Sequence, residues 1–214
     1  MKILAVDTSG RSAGVAVVEN GNALCVRVVN ANDAADGAAL PANWKHSQRL
    51  LPAVQQMLTE AALGVGDLGA VAYTNGPGSF TGLRIGAATA LGLARAAGLP
   101  VVAVPTLDAM AYTGIITNGA PRVVTMLDAR RGQVYAAVYE SDANGLPARV
   151  TDYLADAETA VLDIAGEALV IRDEIDPAAV GLWAAANFHL AREAANAAAL
   201  LYVRAPQAVR ERNA

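Results

Sequence analysis

The chain has 214 residues, 54% of them hydrophobic and 17% charged, so about 70–75% of the unfolded surface can be buried without disulfide or metal. Sixteen Lys and Arg against twenty Asp and Glu leave a net charge of −4. That balance excludes intrinsic disorder and lacks the basic footprint of a free-standing nucleic-acid binder; any RNA is expected to be held by another protein.

Lys2 to Asp7 reads as a strand that stops at the turn cluster Asp7-Thr8-Ser9-Gly10. Only four apolar residues precede Asp7, too few for a secretory leader, and no run of eighteen apolar residues follows anywhere. A globular, cytoplasmic protein is expected. Gly14–Glu19 and Ala23–Val29 are further strands, with Asn20-Gly21-Asn22 supplying the positive φ of a tight hairpin. Cys25, the single cysteine, excludes an internal disulfide and suits a reducing compartment. A polar, alanine-rich loop follows from Asn30 to about Trp44.

Ser47 can cap a helix reaching Ala62, although Pro52 draws its start toward Leu51. Asp67–Thr74 leads into a buried strand broken by Asn75-Gly76-Pro77-Gly78. Thr81–Ala97 predicts a helix closed by Gly98, and Val101–Val104 a parallel strand, completing a right-handed βαβ unit. From Pro105 the pattern restarts: a helix over Thr106–Ile116, then strands Arg122–Leu127 and Gln133–Glu140 joined by Arg130-Arg131-Gly132. Val150–Leu154 and Ala168–Ile171 are weaker strands. Asp176-Pro177 opens an alanine-rich helix toward Ala199, with room for a break midway, and Leu200–Arg204 reads as a last strand. The division is therefore 1–104 and 105–199, each with a sheet of five strands or fewer, and 200–214 is a candidate to rejoin the first unit.

Gly76-Pro77-Gly78-Ser79-Phe80-Thr81-Gly82-Leu83-Arg84-Ile85-Gly86 lies between a strand and a helix, where amide groups and the helix dipole favour anions. It is no P-loop, because no Lys-Ser/Thr pair follows, and its third glycine falls one residue late for a dinucleotide fingerprint. A tight turn capped by Ser79 or Thr81, with Gly82 and Gly86 permitting close packing, explains it equally. Asp7, Thr8 and Ser9 could hold Mg²⁺ and phosphate, or simply cap their own turn.

The opening strand with Asp7-Thr8-Ser9, KHSQRLLP at 45–52, NGPGSFTGLRIG at 75–86 and LDARRGQVY at 127–135 together resemble the TsaB family of bacterial tRNA threonylcarbamoyladenosine biosynthesis, inactive TsaD-like paralogues. The resemblance covers residues 1 to about 140 well and the rest loosely. The loop at 30–44 and the tail at 200–204, where relatives tend to carry proline shortly before the tyrosine, depart from the pattern. The resemblance implies an α/β, actin-like or Hsp70-like ATPase fold: two ribonuclease-H-like domains with mixed sheets, the second reduced. It implies a non-catalytic subunit that supports a TsaD-like catalytic subunit, together with a TsaE-like ATPase. The protein would be a homodimer when alone and would meet tRNA only through the complex. Asp7, Thr8, Ser9, Gly76, Gly78 and Ser79 would form a weak or vestigial nucleotide site, with no intrinsic cofactor and ATP or ADP at the complex interface.

The first helix carries an apolar stripe wide enough to face more than one neighbour and the second is apolar nearly all round, which predicts a partner interface through Leu50, Val54, Met57 and Leu58 of the first and Arg84, Ala87, Ala88, Ala90 and Leu91 of the second. No metal site is expected. TsaD-like proteins carry two histidines four apart on a helix, and here Leu50 stands four past His46, while His189 reads as a packing or surface residue. Cys25 sits between apolar neighbours, where thiols are usually inert. Ser79 is not in a G-x-S-x-G elbow, which disfavours a peptidase. The competing reading is a stand-alone actin-like ATPase or kinase. Against it, Arg130 and Arg131 replace the small residues a second phosphate clamp needs, and Ala165-Gly166-Glu167 would place a carboxylate at the other candidate.

Overall fold

The computed structural model describes residues 1–29, 46–197 and 199–203; the loop expected at 30–44 and the tail beyond Val203 lie outside the described residues. Strands β1 (Lys2–Asp7), β2 (Ala13–Glu19) and β3 (Asn22–Val29) form the antiparallel opening. Helix α1 (His46–Glu60), β4 (Leu68–Gly76), α2 (Phe80–Ala97) and β5 (Pro100–Pro105) follow, with β4 and β5 parallel to β1. Next come α3 (Thr106–Tyr112, continued as a π turn over Thr113–Thr117), β6 (Arg122–Asp128), β7 (Gln133–Ser141), β8 (Pro147–Arg149) and β9 (Leu154–Ala157). Helix α4 (Glu158–Ala165), β10 (Leu169–Arg172), α5 (Pro177–Ala186) and the two-residue β11 (Arg192–Glu193) complete the chain.

The first sheet has the order β11-β5-β4-β1-β2-β3, and the second runs β10-β6-β7-β8 with β9 also on β7. In both, an antiparallel group opens the sheet and a parallel strand joins the first strand's other side. This is the ribonuclease-H order used twice, and among the described residues no strand lies outside β10 at that edge of the second sheet. The fold is the actin-like pair of α/β units with the second one reduced.

Strands β1 and β2 are apolar on both faces because both faces are covered. Leu4, Val6, Val15 and Val17 pack under α1 and α2 through Leu50, Val54, Met57 and Ala90. Ile3, Ala5, Ala16 and Val18 face α5 through Ala178, Val180 and Ala184. The second sheet repeats the sandwich, with Leu107 and Met110 of α3 on one face and Val161 and Ala165 of α4 on the other.

Several boundaries differ from the sequence reading. The chain rejoins the first sheet at Pro177, earlier than the 200–214 expected, because the alanine face of α5 fills the shallow space over Ala5 and Ala16. That helix ends at Ala186 rather than near Ala199: Asn187 turns its amide and its N–H back onto the Trp183 carbonyl. β11 then adds a sixth strand, and residues 200–203 make no strand. Pro52 lies inside α1 on its exposed side instead of starting it, since burial of Leu50, Val54, Met57 and Leu58 decides where the helix runs. The strand expected at 150–154 lies at Leu154–Ala157, and α4 was not foreseen.

Candidate functional site: a closed turn and an open turn

The parallel strands β1 and β4 end side by side, and their last residues meet the start of α2. Asp7 there is 3% exposed, as are Thr8 and Ser9. One carboxylate oxygen, Asp7 Oδ1, accepts three hydrogen bonds: from the Ser9 N–H (3.0 Å), the Ser9 hydroxyl (2.6 Å) and the Thr74 hydroxyl (2.8 Å). Burial pushes the Asp7 carboxyl above the usual carboxylate range, while the bonds from Ser9 and Thr74 pull the other way.

The α2 start is bolted onto this turn. The Thr8 hydroxyl donates to the Gly82 carbonyl at 2.7 Å, and the Ser79 N–H donates to the Ser9 carbonyl at 2.7 Å. Ser79 is the N-cap, accepting from the Gly82 N–H at 3.2 Å. A Cβ on Gly82 would strike the Thr8 carbonyl oxygen, and one on Gly86 would strike the Thr8 hydroxyl. Both glycines are therefore packing glycines. A Cβ on Gly78 would sit 2.6 Å from the Ser9 carbonyl oxygen.

All six residues of the expected nucleotide site, Asp7, Thr8, Ser9, Gly76, Gly78 and Ser79, thus come together in one place. A phosphate needs an open cradle of free N–H groups. Here the Ser9 N–H is spent on Asp7 and the Ser79 N–H on Ser9, so two of the amides at this place are already paired. Two buried oxygens nearby, Asn75 Oδ1 and Thr106 Oγ1 at the ends of β4 and β5, have no hydrogen-bond partner among the described residues.

The second unit carries the counterpart turn between β6 and β7. Asp128 Oδ1 accepts the Arg130 N–H at 2.7 Å, just as Asp7 accepts the Ser9 N–H. Asp173 fixes the turn from the side, accepting the Asp128 N–H at 2.9 Å. Arg130, Arg131 and Gly132 all have positive φ, at 68°, 56° and 72°. For an arginine this backbone costs about 1–2 kcal/mol. Both arginines are exposed, with no helix of the described residues over them.

Of the nine residues expected at a partner interface, six do not face out. Leu50, Val54, Met57, Leu58, Ala87 and Ala90 are between 0% and 9% exposed, inside the core of the first unit. Helix α1 buries its apolar stripe, and α2 its small apolar residues, in the core of the first unit. Arg84 and Ala88 are exposed and Leu91 is half-buried. Beside them Leu51 is 50% exposed, and Phe80, which the sequence reading did not single out, is 43% exposed. The Arg84 guanidinium lies 3.9 Å above the Phe80 ring, and Tyr202 packs at 6.0 Å from it. Leu201 anchors that tail by donating its N–H to the Asn75 carbonyl at 2.7 Å.

Among the described residues no group of three or more His, Cys, Asp and Glu side chains stands close enough to hold a metal ion. The His46 side chain is outside that set; His189 is exposed on a short turn, and Cys25 is a half-buried free thiol on β3. Among the described residues no helix is long and apolar enough to cross a membrane. Asp108, at the start of α3, is a second desolvated carboxylate. Burial raises its carboxyl, against bonds from the Tyr139 and Tyr153 hydroxyls at 2.6 and 2.9 Å.

Residues 40–201 match the model of the family described as TsaD, tRNA N6-adenosine threonylcarbamoyltransferase. The chain belongs to this family. Within it, the chain resembles the TsaB proteins. It is 42% identical over 151 residues to the tRNA threonylcarbamoyladenosine biosynthesis protein TsaB of Escherichia coli, a match covering 68% of this chain and 58% of that protein. The Bacillus subtilis protein of the same name is 34% identical over 146 residues, again covering 68% and 58%. The matched stretch thus spans less than two thirds of either relative. The solved structure of YeaZ from Pseudomonas aeruginosa superposes with a TM-score of 0.73 at 25% identity, covering 94% of this chain and 99% of that one.

Proposed function

We propose that the protein is a non-catalytic subunit of the complex that places the threonylcarbamoyl group on adenosine of tRNA. It binds and supports a TsaD-like catalytic subunit, works beside a TsaE-like ATPase, and pairs with itself when alone. The reading rests chiefly on the TsaB name shared by its relatives, and the geometry of the Asp7–Ser9 turn supports the non-catalytic half of it. In that turn the groups that could meet a phosphate are spent on one another. Nucleotide used by the complex then sits elsewhere, at an interface between subunits. The net charge of −4 supports contact with tRNA through the complex rather than directly. The place of action is the cytoplasm.

The surface offered to the TsaD-like subunit is the outer side of α1 and α2: Leu51, Phe80, Arg84, Ala88 and the adjoining Tyr202. Isothermal titration of the purified protein into the TsaD-like subunit of the same organism tests the partnership. Saturable binding in a defined ratio is expected; absence of binding across micromolar concentrations contradicts it.

A further inference from the structure

The arginines among the described residues sort into two groups. Arg27, Arg122, Arg149 and Arg172 pair with Glu60, Glu140, Asp108 and Glu158. Arg192 donates to nearby carbonyls, Arg49 is buried, and Arg95 sits in the last turn of α2, where the helix dipole favours a cation. Arg11, Arg84, Arg130 and Arg131 are exposed, and among the described residues none of them is in an ion pair.

These four are not scattered. Arg84 is in the second turn of α2, whose cap Ser79 is bonded to Ser9. Gly10, beside Arg11, packs against Ile175, its Cβ position 3.1 Å from the Ile175 δ-methyl. Two residues before Ile175, Asp173 holds the Asp128 N–H at the foot of the Arg130–Arg131 tip. Two residues of chain reach about 7 Å at most, so the two turns are neighbours. The turns that carry Arg11 and Arg130–Arg131 therefore lie side by side, and the start of α2, where Arg84 stacks on Phe80, is bonded to the first of them.

The backbone adds an independent mark. The β2–β3 hairpin of this chain places Asn20 and Gly21 at φ 52° and 78°, the residues such a turn favours. The β6–β7 turn puts Arg130 and Arg131 in the same region, which local propensity opposes. Residues kept against their backbone preference point to a use for their side chains.

We propose that the Arg130–Arg131 tip, with Arg11, is a second contact for the TsaD-like subunit, taking carboxylates of that protein as a continuation of the α2 surface. It rests on the partnership proposed above. Arginine forks suit carboxylate and phosphate alike. The surroundings decide for a protein carboxylate. Asp128, Asp173 and Asp176 each accept a backbone N–H within this region, and Glu174 adds a further exposed carboxylate. Such surroundings cancel long-range attraction for a polyanion such as RNA but leave room for oriented, short-range pairs.

Two variants test it. Arg130→Asn with Arg131→Gly installs the favoured turn residues, and Arg11→Ala removes the third cation without touching a strained position. The double variant should melt about 2–4 °C higher than the wild type, since it relieves the turn. Its affinity for the TsaD-like subunit should fall about tenfold or more at 50 mM NaCl, with a smaller loss at 500 mM. Arg11→Ala should lose affinity in the same direction with no change in melting. Affinity within twofold of wild type for both variants at both salts overturns the proposal. If assembly is untouched while tRNA binding by the assembled pair drops, the tip meets RNA phosphate and the proposal is also overturned. If the wild type itself fails to bind, the partnership is at fault rather than the tip.

Discussion

The β1–β2 and β6–β7 turns are built alike. Each begins with an aspartate at the end of a strand, and each aspartate accepts the N–H two residues on: Ser9 to Asp7, Arg130 to Asp128. What differs is the cover. The first turn lies under the start of α2, with Thr8 and Ser9 bonded into it, and its aspartate is 3% exposed. The second has no helix of the described residues over it and projects two arginines. The same local chemistry thus becomes a structural bolt in one unit and a free tip in the other.

Variants break or sharpen this contrast in order of size. Ala90→Glu forces a charge into a position with 0% exposure between α2 and the sheet and should destabilise by about 4 kcal/mol, unfolding much of the protein at 37 °C. Ala88→Glu, two residues away on the exposed side, should change stability by less than about 0.5 kcal/mol yet weaken binding of the TsaD-like subunit. Denaturant melts of the two, side by side, check which face of α2 is core. Gly82→Val should cost about 3 kcal/mol by pushing α2 off Thr8, whereas Gly82→Ala should follow in the same direction at smaller size. A Gly82→Val protein as stable as wild type would mean the first turn is not bolted.

Asp7→Ala strands the Ser9 N–H and two hydroxyls and should cost about 2 kcal/mol. Asp7→Asn should cost much less, because all three bonds go to one oxygen that asparagine keeps. Asp7 also carries a pH signature. Its folded-state carboxyl is raised above the unfolded value of 3.8, so the native state binds the proton more tightly. Stability therefore falls as pH rises from near 3.8 through the raised value, and is recovered as pH falls. Thermal melts between pH 4 and 6 should show a shallower slope for Asp7→Asn than for wild type, the remainder coming from Asp108, which is raised for the same reason. An unchanged slope would place Asp7 in water. The one expected gain is Arg130→Asn with Arg131→Gly, about 1 kcal/mol, which opposes the sign of every change at the first turn.

The opening three strands, the βαβ unit and the restart at Pro105 were legible in the sequence, because turn residues such as Asn20-Gly21 and Gly98 mark their edges. The convergence of Asp7, Thr8 and Ser9 with Gly76, Gly78 and Ser79 was legible too. The Ser79 cap and the close packing at Gly82 and Gly86 were legible as well, while the bond from Thr74, an unremarked threonine in an apolar strand, was not. The helix faces misled for a physical reason: alanine-rich helices carry no polar stripe to mark their outer side, so burial of Ala90 and exposure of Ala88 look alike in sequence. The early return of the chain at Pro177 was hidden because the small residues of α5 suit either sheet, and Ala5 and Ala16 select the first.

The most direct test of a supporting rather than catalytic role is reconstitution. The TsaD-like and TsaE-like proteins would be supplied with tRNA, ATP and a threonylcarbamoyl donor, and modified adenosine read by mass spectrometry with no third protein, with wild type, and with Asp7→Asn. The account predicts little product without this protein and equal product with wild type and with Asp7→Asn. Loss of product with an Asp7→Asn protein that still folds and still binds the TsaD-like subunit would contradict it, because the carboxylate would then be doing chemistry.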